Sequence, residues 1–411
     1  MRRRKKIALA LLALLVLSQV PFAYRRYRLG RLGAAIDALN AGRAVVPTEE
    51  EPLEEYAGVF HVHSFLGGHS TGTLEEIVRA AKAERLAFIV RTEHPSPRLD
   101  TVAATLNGLH DGVLFVGGSE LVASDGGRLF VAPGVAAPAQ NPPLKELVAR
   151  AKSESRLSVI GYPEEARDRE LSGYEGVEVY NLYTNAKRIN YVTLFFDGLW
   201  SYWGRPELLF ARFYERPGEN LRRWDEYNAS GAGRAYAFAG NDAHANVGFA
   251  LQDSDGRKTL DFKLDPYERS FRLVRTHVLL NKGEPFDESN LLAALRRGNF
   301  FVSFDVFGDP TGFRFTATND PGEASTPTHA NMGDEITLPT GGTVRLKVCS
   351  PVHGRTVFYR DGQVVHEVSN SARAEMSVEQ KGVYRVEVYL DQLGSLLEGK
   401  PWIISNPIFV R

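Results

Sequence analysis

The chain has 411 residues, 43 % hydrophobic and 24 % charged, with 49 lysines and arginines against 50 aspartates and glutamates, for a formal net charge of −1. That is a normal globular balance for about two domains, or one barrel plus a module, and no long basic run outside the N-terminus could follow a nucleic-acid backbone, so nucleic acid is not an expected partner. A single cysteine, Cys349, excludes an internal disulfide and a cysteine-rich zinc site, so any metal must be held by histidines and carboxylates.

At the N-terminus Arg2-Arg3-Arg4-Lys5-Lys6 precedes an almost pure alanine, leucine and valine run from Ile7 to Leu17, which continues less cleanly to Ala23. The 17 residues from Ile7 to Ala23, at about 1.5 Å each, reach about 26 Å, just enough to cross a bilayer core. A cleavable signal peptide is the rival reading; Pro21 before Ala23 makes a poor cleavage site and favours an uncleaved signal anchor over residues 1–31. Arg25, Arg26, Arg28 and Arg31 follow the apolar run almost as densely as basic residues precede it, and the large domain is expected on the extracytoplasmic side. Residues 32–55, with Pro47, Pro52 and a cluster of glutamates, read as a linker.

From Tyr56 short apolar strands alternate with amphipathic helices. The strand Val59 to His63 is followed by a helix over Thr73 to Arg85, where Leu74, Ile77, Val78 and Ala81 stand at i, i+3, i+4 and i+7. Ala87 to Val90 is the next strand, and strand, helix, strand is the unit of a parallel sheet. Further strands are predicted at Val113 to Val116, Leu157 to Ile160, Val177 to Tyr180, Tyr236 to Ala239 and Thr276 to Leu280, with helices at Leu144 to Ser155 and Asn290 to Arg297 before Phe300-Phe301-Val302. Seven or so parallel strands fit a barrel or an open doubly wound sheet.

Within this frame Phe60-His61-Val62-His63 sets two imidazoles two residues apart on a strand, and Asn241-Asp242-Ala243-His244 answers them far downstream. His63, Glu93 with His94, Glu120, Glu178, and Asp242 with His244 each fall at or just past the C-terminal end of a predicted strand. In a parallel barrel those ends form one face. Singly, each residue has an ordinary explanation as a surface pair, a capped turn or a hydrogen-bonded loop; together these explanations need several coincidences. Imidazoles mixed with carboxylates suit zinc, manganese or iron, and are too nitrogen-rich for magnesium or calcium alone. Two such ions acidify a shared water and neutralise phosphoryl oxygens, which points to phosphoester hydrolysis.

The motifs also resemble a family in their order. Phe60-His61-Val62-His63-Ser64, Gly72-Thr73-Leu74-Glu75-Glu76-Ile77-Val78, Ile89-Val90-Arg91-Thr92-Glu93-His94, Gly118-Ser119-Glu120, Gly176-Val177-Glu178-Val179-Tyr180-Asn181 and Gly240-Asn241-Asp242-Ala243-His244 resemble the PHP (polymerase and histidinol phosphatase) phosphoesterases over roughly Tyr56 to Asp305. The resemblance implies an α/β fold: a distorted (β/α)7 TIM-like barrel over residues 56–308, with two or three divalent metals in a cleft at the strand C-termini. It implies His61, His63, His94, Glu120, Asp242 and His244 as ligands, with His69 where family members supply an aspartate or a histidine. Two departures stand out. Glu93 replaces the aspartate of the family's Thr-Asp-His, keeping the charge with a longer reach, and is a candidate catalytic residue. Tyr162, in Val159-Ile160-Gly161-Tyr162-Pro163, stands where the family has a ligand histidine, so one metal position is weak or lost.

A phosphate also needs a cation at the rim; Arg91, Lys187 and Arg188 are candidates, with Arg188 preferred as a catalytic residue. The insertion from Leu182 to Arg234 is rich in aromatics, among them Tyr183, Phe195, Phe196, Trp200, Trp203 and Trp224, and reads as packing around a helix or as a lid. Beyond Gly308 helical spacing gives way to alternation at Val344, Leu346 and Val348 and at Tyr384, Val386 and Val388. With an Asp361-Gly362 hairpin signal, this predicts a small all-β immunoglobulin-like sandwich over residues 309–411. The expected function is a membrane-tethered, metal-dependent hydrolase that attacks a small phosphorylated substrate through a metal-bound hydroxide. The competing expectation is a degenerate, non-catalytic PHP barrel acting as a membrane-tethered binding or scaffold protein.

Overall fold

Side chains that alternate between two faces along seven strands build the centre of the molecule, here described from a computed structural model covering residues 2–43, 52–166, 171–186, 190–246, 248–252, 258–263, 265–320 and 328–411. The strands are β1 (Leu53–Val62), β2 (Phe88–Glu93), β3 (Val113–Val122), β4 (Arg128–Ala132), β5 (Leu157–Gly161), β6 (Gly176–Asn181) and β7 (Tyr236–Ala243). They pair in chain order and β7 returns to β1, so the ring is closed. All pairs are parallel except those of β4, which runs antiparallel to β3 and β5.

Phe60, Phe88, Val90, Leu114, Val116, Phe130, Val159 and Phe238 face inward and form one core. Their neighbours face out: Ile89 and Phe115 pack under Ile77 and Ala81 of α2 (Leu74–Ala83), and Leu129, Val131 and Ile160 under Leu147 and Val148 of α3 (Leu144–Ser153). Thr73 caps α2 in a reciprocal capping box with Glu76. Helices α4 (Leu182–Ala186), α5 (Tyr191–Ser201) and α6 (Gly218–Ser230) lie between β6 and β7, and the barrel is followed by α7 (Tyr267–Leu273) and α8 (Glu288–Arg297). Leu291, Ala294 and Leu295 of α8 join the inward core, and Arg296 bonds the Ser155 carbonyl just before β5. This helix therefore closes the barrel at the N-terminal ends of its strands.

Two strands differ from expectation. Thr276 to Leu280 lies in β8 (Arg275–Asn281), outside the ring, antiparallel to the first half of β1. Its place in the count is taken by β4, which folds back on β3 through the Asp125-Gly126-Gly127 turn. A hairpin needs no crossover helix, so the strict strand-helix alternation breaks at that point.

The hydrogen-bonded sheet does not stop at the barrel. It continues from β8 to β9 (Phe300–Ser303), then to Ile403–Ser405, Gly382–Tyr389 and the long strand Thr343–Arg360, which also pairs with Arg314–Asp320 and Gln363–Val378. The Asp361-Gly362 turn between the two longest strands has positive φ at both residues, 49° and 80°, as a two-residue hairpin requires.

The N-terminal segment is one helix, α1 (Arg2–Ala41), long and apolar enough to cross a membrane by length and composition. Its first half is exposed, whereas Leu29, Leu32 and Ile36 are buried in the same core as Leu208 and Phe210. Of the expected linker, residues 32–41 are therefore helical and Leu53 to Glu55 open β1; residues 44–51 lie outside the described residues.

Candidate metal centre

Regular alternation would have turned His61 and His63 away from the barrel mouth, because they would share the outward face of Val59. A left-handed His61, with φ 66°, prevents this: the β1 to β7 register slips between Phe60 and Val62, and both imidazoles swing into the mouth. Asp242 at the end of β7 and Tyr162 just past β5 are also left-handed, with φ 47° and 46°. Such conformations cost non-glycine residues about 1–3 kcal/mol each and persist only where the surroundings hold them, which is characteristic of binding sites.

The side chains supply that hold. His61 Nδ1 meets Glu178 Oε1 at 2.5 Å, and Gly240 makes the room, since a Cβ there would overlap the Glu178 carboxylate. Glu178 Oε2 accepts from Asn181 Nδ2 at 3.2 Å, and the Tyr162 hydroxyl donates to Asp242 Oδ2 at 2.7 Å. Arg128 donates to Glu120 Oε1 at 2.7 Å while its guanidinium lies 4.4 Å from the Tyr162 ring centre. Tyr267 reaches in from α7 to the His63 carbonyl at 2.6 Å.

Four donor atoms then converge. His61 Nε2 lies 3.0 Å from His63 Nε2, 3.4 Å from Glu120 Oε2 and 3.3 Å from Asp242 Oδ1; His63 Nε2 lies 3.2 Å and 3.4 Å from the same two oxygens. Ligand bonds of about 2.0–2.2 Å place neighbouring donors roughly 3.0–3.6 Å apart around one ion, so the residues present fit a transition metal. Asp242 Oδ1 is buried and accepts no hydrogen bond, an orphan that a cation would satisfy.

A second, more open group adjoins the first. Ligand atoms of His63, His69 and His244 lie within 4.8 Å of one another, and the His94 ring is 4.4 Å from His69 and 5.2 Å from His63. The seven residues expected as ligands, His61, His63, His69, His94, Glu120, Asp242 and His244, therefore meet at one mouth.

Protonation divides the histidines. Burial, reinforced by neighbouring histidines, lowers His94 to about 4 and pulls His69 and His244 down, leaving neutral imidazoles at pH 7. His61 is opposite: burial alone would lower it, but Asp242, Glu178 and Glu120 raise it well above 6.5. Burial would likewise raise Glu120 and Asp242, yet His61 and His63 hold both well below the usual carboxylate range. Burial, then the carboxylates of Asp242, Glu178 and Glu120, push the Tyr162 phenol up, so it is a donor at neutral pH.

No protein family matches the chain and no curated protein matches it. Among solved structures it is similar to a two-domain protein containing a predicted PHP-like metal-dependent phosphoesterase from Bacteroides vulgatus ATCC 8482, at 14 % identity and TM-score 0.37, over 87 % of this chain and 96 % of that one. It is also similar to PsfC from Pseudomonas syringae PB-5123, at 14 % identity and TM-score 0.33, over 59 % of this chain and 89 % of that one.

The two residues expected to be catalytic sit differently. Glu93 is turned from the four-donor cluster: it pairs with Arg91, two residues back on the same face of β2, and accepts from Ser64 N at 2.9 Å and Ser64 Oγ at 2.6 Å. Lys187 and Arg188 lie outside the described residues. Supporting residues that the sequence did not single out are Asn181, Arg128 and Tyr267. Arg128 went unseen with its strand β4, while Asn181 stood in a quoted motif with its amide unassigned.

Proposed function

We propose that the barrel mouth is the active site of a metal-dependent phosphoesterase with two or three divalent ions, zinc, manganese or iron. The convergence of His61, His63, Glu120 and Asp242 at ligand-edge distances, with Asp242 Oδ1 buried and without a hydrogen bond, carries this reading. These four residues would hold one ion, and His69, His94 and His244 beside His63 would hold a second. Divalent ions in these positions supply Lewis-acid stabilisation of a phosphoryl group and acidify water for in-line attack.

The chain's own residues do the rest. Glu178 fixes the ring orientation of His61 through Nδ1, leaving Nε2 aimed at the cluster. Tyr162 and Arg128 hold the outer oxygens of Asp242 and Glu120, so that the inner ones face the histidines. Glu93, clasped by Arg91 and Ser64, anchors the turn that leads to His69. Tyr183, whose ring centre is 5.8 Å from that of His244, stands at the rim, and Arg188 is the proposed phosphate cation of the same insertion. The catalytic unit is residues 56–308, braced by an immunoglobulin-like sandwich over 309–411. It is held at the extracytoplasmic face of a membrane by α1 as an uncleaved anchor, and its substrate is a small phosphorylated molecule.

Full-length protein purified in mild detergent should contain at least two equivalents of transition metal by elemental analysis. His61→Ala combined with Asp242→Ala should remove the metal together with hydrolysis of an aryl phosphate. Protein without bound metal after gentle purification would favour the scaffold, and hydrolysis of carboxylic esters alone would move the chemistry to another bond.

A further inference from the structure

Helix α5 shows solvent the wrong face. Val192, Phe195 and Leu199 stand at i, i+3 and i+7 and are 69 %, 61 % and 58 % exposed, and Trp203, four residues on, is 86 % exposed. Asp197 and Ser201, which solvent would suit, are buried. A helix packed on a water-soluble domain has the reverse polarity.

The hidden face of α5 packs against α1. The Phe22 and Phe196 rings are 5.1 Å apart, Trp200 Nε1 donates to Gln19 Oε1 at 3.1 Å, Arg26 donates to the Trp200 carbonyl at 2.8 Å, and Arg25 pairs with Asp197 at 3.4 Å. Gln19 to Arg26 is the stretch in which α1 leaves its apolar run and meets arginines. The helix that carries the exposed stripe is thus packed on α1 where the apolar run ends. Tyr24 and Tyr27 of α1 are 61 % and 59 % exposed on the same stretch of helix as Arg25, Arg26 and Arg28, whose guanidinium groups bond Asp197, the Trp200 carbonyl and Ser395. Aromatic residues at the water boundary are how an interfacial segment is seated.

We propose that α5 and Trp203 lie in the interfacial layer of the bilayer that α1 enters, as a second, monotopic contact that fixes the orientation of the barrel on the membrane. This rests on the reading of α1 as an anchor. The partner is the lipid surface itself, chosen over a second copy of the chain because the stripe lies on a helix that packs against the end of the membrane-length apolar run of α1.

The test uses full-length protein with Cys349→Ser, carrying single nitroxide labels at Phe195→Cys, Leu199→Cys, Leu12→Cys in α1 or Val364→Cys on the distant hairpin, in vesicles of phosphatidylcholine and phosphatidylglycerol. The expected ratio of oxygen to nickel-chelate accessibility at positions 195 and 199 is several-fold above that at 364, with a depth shallower than at position 12. A deep label at 12 with aqueous labels at 195 and 199 overturns the proposal and leaves the anchor standing. An aqueous label at 12 overturns both. Labels at 195 shielded from both reagents, with spin-spin broadening between copies, would mean that a second chain covers the helix, and would also overturn it.

Discussion

Tyr162→Phe removes one oxygen and tests whether the tyrosine that replaces an expected ligand works through Asp242. Its hydroxyl is 2.7 Å from Asp242 Oδ2, and the other side chain that reaches this oxygen among the described residues is Asn181, whose Nδ2 is 3.4 Å away. The variant keeps the ring under Arg128 but leaves a buried, ionised oxygen with one long contact. A hydrogen bond to a charged group contributes about 1.5–3 kcal/mol, so roughly 2 kcal/mol of unfolding free energy should be lost from the metal-stripped protein. A loosened Asp242 should also weaken metal binding by about 10–100-fold, the usual consequence of removing a residue that orients a ligand. Competition against a chromophoric chelator reads the affinity, and urea unfolding followed by tryptophan fluorescence reads the stability. Affinity within twofold of the native protein, together with an unchanged unfolding midpoint, would refute the role of the hydroxyl.

Two further predictions concern the framework. His277 sits between Glu55, 2.8 Å from Nδ1, and Asp305, 3.2 Å from Nε2; burial alone would lower it, but these carboxylates push it up to about 9. With a folded value above the unfolded one near 6.5, its contribution of roughly 3 kcal/mol is fully present below pH 6.5 and is lost as pH rises through about 9. Unfolding free energy should fall over that window, and His277→Gln should flatten the fall; parallel profiles for the two proteins would contradict the assignment. Arg385, 2 % exposed, donates from Nε and Nη2 to Asp225 at 2.7 and 2.8 Å and from Nη1 to Glu387 at 2.7 Å. Asp225→Ala strands a buried guanidinium and should cost about 3–5 kcal/mol in urea unfolding, with the Asn variant milder; a loss under about 1 kcal/mol would show that Glu387 suffices alone.

The gathering of these side chains was legible because metal chemistry restricts side-chain type and because parallel strands gather their ends. His61, His63, His94, Glu120 and Asp242 could be assigned to one mouth before any distance was known. The backbone that delivers them was not legible. Nothing in Phe60-His61-Val62 announces a left-handed histidine, and without it the pair would face α2. The β4 strand was missed because a hairpin return leaves no helix to mark it, and Thr276 to Leu280 was misplaced because an apolar run does not reveal its direction. Arg91 and Glu93, two apart on β2, had the spacing of a same-face ion pair, so the turn of Glu93 from the cluster follows from the sequence in retrospect. In the aromatic insertion, the i, i+3, i+7 spacing of Val192, Phe195 and Leu199 went unread, since the segment was read for its aromatics alone. Only the contacts of Phe196 and Trp200 with α1 determine which face is left outside.

The ladder of hydrogen bonds that runs from β1 through β8 and β9 to Ile403–Ser405 makes the last hundred residues part of the barrel's own fabric. Phe301, Val302 and Ser303 find their outer partners at Ser405, Ile404 and Ile403, and the Trp402 indole closes the seam on the Gly308 carbonyl at 3.0 Å. A chain severed after Gly308 would present β9 as a bare selvedge, the amides and carbonyls of its outer edge unanswered and open to pairing with any passing strand. The terminal module is thus a hem for the barrel's sheet, stitched to it along the edge.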